Sequence, residues 1–207
     1  MNDLRKCGQK EKMKTKIFFD FDNTLVDTTS AFVSWYNNKN DTQIDPKEII
    51  NYNFEPQLKL SKEEMIKGFS SDEFFSFLRP FDGVREFLER LKQTKLFEMY
   101  LVSNCSNESI IQKIKWLYEF NLEKYFDGKI FLSINKPIDK SLIDMSKSIF
   151  KDDHKENHLS SNAKYKFAFK DLPQRTWHPT QDDGVMVFSK WNSGLVEYFK
   201  YIARHNK

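Results

Sequence analysis

Cysteine is scarce in this chain of 207 residues, which contains only two, Cys7 and Cys105. Two cysteines are too few for a disulfide framework or a zinc site, so a reducing cytoplasm is the simplest expectation. The chain also lacks any apolar run near the roughly 18–20 residues that span a bilayer, and no apolar secretion segment follows its basic N-terminus. The sequence therefore predicts a soluble cytoplasmic protein.

Most of the chain carries no net charge. The formal net charge is +3, and residues 1–15, with five basic and two acidic side chains, account for all of it. Because residues 16–207 are neutral overall, a chain-wide basic surface for duplex nucleic acid is not supported. We interpret residues 1–15 as a basic, disordered leader rather than a binding arm.

Aromatic and apolar residues are abundant: 39% of the chain is hydrophobic, and 20 residues are phenylalanine. This composition is sufficient to bury a core. Short apolar runs, which predict strands, are separated by segments with helical periodicity. Such alternation favours an α/β fold with a parallel sheet covered by helices on its faces. The predicted strands contain residues 17–19, 99–102, 130–132, 149–150, 167–169 and 185–188.

Residues 31–81 interrupt this alternation with about fifty mostly helical residues, too many for an ordinary crossover. Ser61 and Glu64 predict a capping box at the start of one helix, and Asp72 and Glu73 fit the first turn of another. We interpret this segment as a small helical cap inserted after the first strand. The core then consists of residues 16–30 and 82–207.

Two aspartates follow the first predicted strand. Asp20 lies at its carboxyl end, where open α/β sheets carry their active sites, and Asp22 would face the same side in an extended chain. Two close carboxylates repel each other unless a cation or a shared proton intervenes, and their hard oxygens suit Mg²⁺. An aspartate can also be the nucleophile in phosphoryl transfer. The alternative is an ordinary turn of Asp, Asn and Thr residues.

Polar residues also follow the second and third predicted strands. Ser103 and Asn104 predict either hydrogen bonds to a phosphoryl group or the N-cap of a helix. Lys136 and Lys140 are two candidates for a cation that neutralises a carboxylate and phosphate cluster. Any single lysine in a lysine-rich chain is otherwise a solvated surface charge.

An acidic pair, Asp152 and Asp153, follows the fourth predicted strand and would complete a Mg²⁺ shell. An acidic turn is the alternative. Lys151, a charged residue directly before the pair, is either a further candidate cation or evidence that the strand ends earlier. We interpret His154 and His158 as surface residues.

In this order, the four stretches resemble the motifs of the haloacid dehalogenase superfamily of phosphatases, whose signature is Asp-x-Asp-x-Thr after the first strand. The resemblance implies a Rossmann-like, three-layer parallel sheet. It implies that Asp20 is the nucleophile and a Mg²⁺ ligand, and that Asp22 is the general acid and base, with its backbone carbonyl also on the metal. Thr24 would support the loop, and Lys140 fits the family's spacing to the acidic pair better than Lys136.

A finer resemblance is to the 5′(3′)-deoxyribonucleotidase type and its phage and bacterial relatives, over about residues 15–205. It rests on Asn51-Tyr-Asn-Phe54 in the cap, on Pro80-Phe-Asp-Gly83 before an amphipathic helix, and on Trp191 before a terminal helix. The resemblance implies Mg²⁺-dependent hydrolysis of a nucleoside monophosphate to a nucleoside and phosphate.

A nucleobase needs an apolar or aromatic wall to stack against. Phe21, between the two aspartates, is the first candidate for this wall, and the cap contributes others, although an aromatic stripe on a small cap is often its own core. The residues expected to contact substrate are Phe21, Thr24, Asn104, Phe54 and Phe75.

Two other functions stay open. One is a phosphatase on the same fold that acts on another small metabolite or on a nucleic-acid end, which the neutral body disfavours. The other is a non-catalytic, regulatory protein that keeps the fold. The expected partner is a small phosphomonoester, and no membrane contact is expected. A homodimer stays open, although no heptad seam demands one.

Overall fold

A computed structural model describes residues 13–134 and 140–206. In this part of the chain, six strands form one parallel sheet in the order β3-β2-β1-β4-β5-β6. Each predicted apolar run lies in or overlaps one strand, and the predicted α/β class is confirmed. The strands are β1 Thr15–Phe19, β2 Phe97–Cys105, β3 Gly128–Ser133, β4 Ile149–Asp152, β5 Tyr165–Phe169 and β6 Met186–Phe188.

Eight α-helices are present within the described ranges, and none of them is long and apolar enough to cross a bilayer. The predicted capping box is confirmed, because Ser61 accepts from the Glu64 N–H while the Glu64 carboxylate accepts from the Ser61 N–H. The helices are α1 Thr28–Asn40, α2 Glu55–Leu58, α3 Lys62–Phe69, α4 Asp72–Phe77, α5 Val84–Thr94, α6 Asn107–Glu119, α7 Lys155–Ser160 and α8 Ser193–His205.

Helices α1 to α4 lie on a segment that leaves and rejoins the core at one place, which we call the stem. In the stem, Val26 forms an antiparallel bridge with Pro80, and the Asp27 N–H donates to the Arg79 carbonyl at 3.0 Å. Aromatic rings hold this segment together. Phe32 is fully buried, and its ring centroid lies 4.2–6.0 Å from those of Trp35, Phe54, Phe69 and Phe74.

The alternation of side chains in β1 and β4 gives the sheet two apolar faces. Ile17 and Phe19 face a large cluster that includes α5 and α8, whereas Phe18 faces a smaller one with Val102 and Phe150. Both faces are therefore covered, as a parallel sheet requires.

Lys151 lies inside β4 and faces the larger cluster, so the strand does not end before it. Its side chain is fully buried, and its ammonium lies 3.7 Å from the ring centroids of both Phe188 and Trp191. Its ammonium has no hydrogen-bond partner among the described residues, and burial lowers its pKa well below the ordinary value. Lys151 therefore belongs to the core and does not supply a cation to the acidic residues.

Candidate active site

Three carboxylates meet where β1 and β4 end. Asp20 follows β1 and Asp152 ends β4, and the two strands are neighbours joined by a bond from the Asp20 N–H to the Lys151 carbonyl at 2.8 Å. One oxygen from each of Asp20, Asp152 and Asp153 lies within 4.8 Å of the others. All three residues are buried. We call these residues the carboxylate cluster.

Lys140 bridges this cluster from a 3₁₀ turn at Lys140–Leu142. Its ammonium is 1% exposed and donates to Asp20 Oδ1 and to Asp152 Oδ2, at 2.5 Å each. Burial alone would lower the pKa of Lys140, but the two carboxylates outweigh it and raise that pKa. Of the two candidate lysines, the structure brings Lys140 to the carboxylates, whereas Lys136 lies outside the described residues.

The charge of the cluster is not balanced by Lys140 alone. Burial raises the pKa of Asp20 to about 7 against the opposing effect of Lys140, and burial together with the Asp152 charge raises the pKa of Asp153 well above its ordinary value. Burial also acts on Asp152, but the Lys140 charge outweighs it and lowers the Asp152 pKa. Three carboxylates with one ammonium favour a further cation.

The three carboxylates differ in how many oxygens are free. Both oxygens of Asp152 accept protein hydrogen bonds, from Lys140, from the His154 N–H at 2.8 Å and from the Asn157 amide at 3.0 and 3.1 Å. Asp20 and Asp153 each have one oxygen that receives no bond from the described residues. This donor set of hard oxygens fits Mg²⁺, with Asp20 and Asp153 as the residues able to hold it.

Asp22 does not join the carboxylate cluster. Its carboxylate accepts from the Thr28 hydroxyl at 3.0 Å, from the Ser103 hydroxyl at 3.4 Å and from the Lys113 ammonium. Lys113, on α6, is 4% exposed and also donates to Ser103 at 2.7 Å. Ser103 lies at this point because β2 pairs with β1 in a register that aligns Leu101 with Phe19.

The loop after Asp20 is fixed by hydrogen bonds between its side chains and the start of α1. Asn23 has a left-handed backbone with φ of 49°, and its side chain accepts from the N–H and hydroxyl of Thr29, both at 3.0 Å. Thr24 is fully buried, and its hydroxyl has no hydrogen-bond partner among the described residues. Thr24 therefore exposes no surface to a substrate and does not line the cavity adjacent to Asp22.

A cavity of about 220 Å³ begins at these polar residues. Its lining includes the polar residues Asp22, Lys113 and Asn104. It also includes apolar residues of α3, α4 and the segment before α2, which are Phe54, Met65, Ile66, Phe69 and Phe74. A larger open cleft of about 670 Å³ lies elsewhere and contains none of the four aspartates described above. The smaller cavity is therefore the one adjacent to the reactive groups.

Two expected substrate contacts and one histidine are placed differently from the prediction. Phe21 is fully buried, and its ring packs edge-on against Trp116 at 5.4 Å, so it offers no free face to a base. Phe75 packs against Phe74 at 5.1 Å and does not line the cavity. His158 is fully buried rather than on the surface, with Nε2 3.0 Å from the Asp152 carbonyl.

The comparisons with solved structures show that the chain shares the fold of haloacid dehalogenase-like hydrolases. A haloacid dehalogenase-like family hydrolase from Streptococcus pneumoniae is 16% identical, with a TM-score of 0.58 over 90% of this chain and 98% of that one. YfnB from Bacillus subtilis, solved with magnesium, is 15% identical, with a TM-score of 0.58 over 93% and 100%. CbbY from Rhodobacter sphaeroides, solved with phosphate, is 10% identical, with a TM-score of 0.60 over 87% and 96%.

A family model narrows this class. The model described as 5′ nucleotidase, deoxy (pyrimidine), cytosolic type C protein matches residues 14–158, and the chain belongs to this family of haloacid dehalogenase-type phosphatases. The match extends from β1 into α7 and includes the carboxylate cluster, Ser103, Lys113 and Lys140. A search of curated protein sequences gives no significant match.

Proposed function

We propose that this protein is a Mg²⁺-dependent phosphomonoesterase that hydrolyses nucleoside monophosphates, as a 5′(3′)-(deoxy)ribonucleotidase. The cavity of about 220 Å³ supports this substrate class, because its lining combines Asp22 and Lys113 with apolar side chains of α3. A phosphate beside these two charged residues would leave the nucleoside against the apolar side chains. The matched family is described as a cytosolic 5′ nucleotidase, which supports the same activity and a cytoplasmic location.

The carboxylate cluster would hold the metal. Asp20 and Asp153 would coordinate it through their free oxygens, with the Asp22 backbone carbonyl as the family resemblance implies. Asp152 would instead fix Lys140 through its bond at 2.5 Å. When bound, Mg²⁺ would offset the charge of the phosphoryl group and the carboxylates. The magnesium-bound YfnB structure supports this assignment.

The reaction would proceed through the chain's own aspartates. Asp20 would attack phosphorus and form an aspartyl phosphate, while Asp22 donates a proton to the leaving oxygen of the nucleoside. Asp22 would then take a proton from the water that attacks the aspartyl phosphate, which releases phosphate and restores Asp20. Ser103 and Lys113 would donate hydrogen bonds to phosphoryl oxygens, since both already converge on Asp22.

Helices α1 to α4 would act as a cap over this site; they begin at Thr28, three residues before the predicted segment 31–81. Phe54 and the α3 side chains would contact the base or sugar, and Asn104, which also lines the cavity, would bind the phosphate or the sugar. The remaining described residues would form the catalytic core.

A substrate panel tests the proposal. Phosphate release would be measured with Mg²⁺ on 5′- and 3′-monophosphates of ribo- and deoxynucleosides, with sugar phosphates for comparison. We expect nucleoside monophosphates to be preferred and Asp20→Asn to abolish turnover. Asp182→Asn, which removes an exposed carboxylate, is the control and should retain activity. A preference for sugar phosphates, or full activity in Asp20→Asn, would overturn the proposal.

A further inference from the structure

A loop beyond the family match contacts the carboxylate cluster. Residues 171–180, which we call the Trp177 loop, lie between β5 and β6, whereas the matched region ends at residue 158. The loop reaches back across the carboxyl edge of the sheet to Asp153. Its contacts are therefore a property of this chain that the family match does not assign.

Trp177 holds the side chain of Asp153. Its indole Nε1–H donates to Asp153 Oδ2 at 2.6 Å, and both residues are buried. The indole ring is itself packed, with the Arg175 guanidinium 5.1 Å above it and the Tyr52 ring 6.1 Å away. An indole is a donor only, so its N–H selects one carboxylate oxygen and leaves the other for a different partner.

The backbone of Asp153 is held by the next residue of the loop. His178 Nδ1 lies 2.9 Å from the Asp153 carbonyl, and His178 Nε2 lies 3.1 Å from Asp171 Oδ1. Asp171 also accepts from the Arg175 guanidinium, which fixes its carboxylate in turn. The Lys155 N–H closes the arrangement by donating to the Trp177 carbonyl at 2.9 Å.

The other two carboxylates do not need this loop. Lys140 binds both Asp20 and Asp152, and Asn157 binds Asp152 as well. Among the described residues, Trp177 alone donates a hydrogen bond to the Asp153 side chain. The orientation of Asp153 thus depends on one indole N–H.

We propose that Trp177 is a positioning residue for metal binding: its indole N–H fixes one oxygen of Asp153 so that the other is preorganised, with Asp20, to coordinate a divalent cation. The inference rests on the proposed Mg²⁺-dependent function. In this role, Trp177 does not contact the metal but hydrogen-bonds to a metal ligand and orients it. Such partners typically contribute about tenfold to a hundredfold in metal affinity.

Direct Mg²⁺ binding tests the proposal. Calorimetric titration with MgCl₂ would compare the wild type, Trp177→Phe and Thr176→Val. Trp177→Phe keeps an aromatic ring but removes the N–H, and we expect Mg²⁺ affinity to fall about tenfold to a hundredfold. Thr176→Val is the matched control, because it removes the hydroxyl that donates to the Ile50 carbonyl from the same loop and leaves Asp153 untouched. Its Mg²⁺ affinity should equal that of the wild type.

Kinetics separate positioning from a merely structural role. The Mg²⁺ concentration for half-maximal activity should rise in Trp177→Phe by the same factor as the dissociation constant. At saturating Mg²⁺, kcat and the KM for the phosphomonoester should return to near the wild-type values. A wild-type measurement accompanies these: on Mg²⁺ addition, the ¹⁵N indole resonance of Trp177 should shift, whereas those of Trp35 and Trp116 should not.

Three results would overturn the role given to Trp177. Unchanged Mg²⁺ affinity in a folded Trp177→Phe variant, or reduced stability alone, overturns the inference and leaves the nucleotidase proposal intact. If Trp177→Phe does not fold, the wild-type NMR measurement is the test. A Trp177 indole resonance that does not shift on Mg²⁺ addition also overturns the inference. A wild-type protein that hydrolyses no phosphomonoester and binds no Mg²⁺ overturns both proposals.

Discussion

The Lys113 ammonium donates simultaneously to the Asp22 carboxylate and to the Ser103 hydroxyl, the latter at 2.7 Å. Lys113 and Ser103 lie on consecutive elements, α6 and β2, while Asp22 belongs to the loop after β1. The same ammonium lies 4.9 Å from the Phe21 ring centroid. A buried cation thus ties together the proposed acid–base residue and a proposed phosphate ligand.

Removal of the Lys113 charge should weaken catalysis. Lys113→Met should lower kcat/KM by about a hundredfold, because a preorganised donor to the phosphoryl group is lost. Lys115→Met removes an exposed lysine from the same helix and should leave kcat/KM within twofold of the wild type, since a surface charge contributes little. Steady-state kinetics at saturating Mg²⁺ make the comparison, and equal rates for Lys113→Met and the wild type would contradict the role given to Lys113.

Lys140 should be required for stability as well as for activity. Lys140→Met leaves Asp20 and Asp152 buried without their ammonium, and the free energy of unfolding should fall by about 3–5 kcal/mol. Added Mg²⁺ should restore part of this loss, because the ion supplies positive charge to the same carboxylates. Urea denaturation with and without MgCl₂ measures both effects, and a fully stable Lys140→Met protein without Mg²⁺ is the contrary result.

Lys151 should be dispensable for the fold. Its ammonium is buried among aromatic rings, and no residue that the structure describes bonds to it, so Lys151→Met should raise the free energy of unfolding by about 1–3 kcal/mol. Lys151→Ala should instead destabilise the protein, because it opens a cavity in the same place. Paired urea denaturation curves test the sign of each change, and a destabilised Lys151→Met variant would show that the cation–π contacts exceed the cost of burial.

Cys105 should be unreactive at ordinary pH. Burial raises the pKa of its thiol to about 11, and only the thiolate is a good nucleophile. In a Cys7→Ser background, alkylation by iodoacetamide at pH 8 should be slow in the native protein and fast after denaturation. Because the thiolate fraction grows as pH approaches 11, the native rate should keep rising with pH beyond the range of an exposed thiol. Rapid native alkylation at pH 8 would be inconsistent with the buried thiol.

The strands and the carboxylate cluster could be predicted because local sequence carries their signals. Apolar runs predict the strands, and parallel strands bring their carboxyl ends to one edge, where Asp20 and Asp152 meet. Lys113 could not be predicted in this way. The apolar residues of the α6 sequence recur with helical spacing, which predicts that Ile111 and Tyr118 face inward, yet both are exposed and Lys113 is buried. The face of α6 that meets the site is polar, so an apolar pattern does not identify it.

Contacts between residues that are distant in the sequence could not be predicted either. Phe21 has the spacing of a substrate contact, but its ring packs inward on Trp116. Trp177 belongs to no sequence motif that we recognise. Its hydrogen bond to Asp153 forms because the chain after β5 turns back over β4. Hydrogen bonds of this kind follow from tertiary packing rather than from the local pattern of residues.

The stem gives the protein a modular construction. Because the chain departs at Val26 and returns at Pro80, one bridge away, the pairing of β1 with β2 and β4 does not depend on what lies between. Helices α2 to α4 can therefore diverge in length and sequence while Asp20 keeps its place, whereas Thr28 and Thr29 at the start of α1 bind Asp22 and Asn23. Substrate choice and phosphoryl chemistry are thus free to evolve separately, and a chimaera that exchanges the segment between these two residues should retain the sheet.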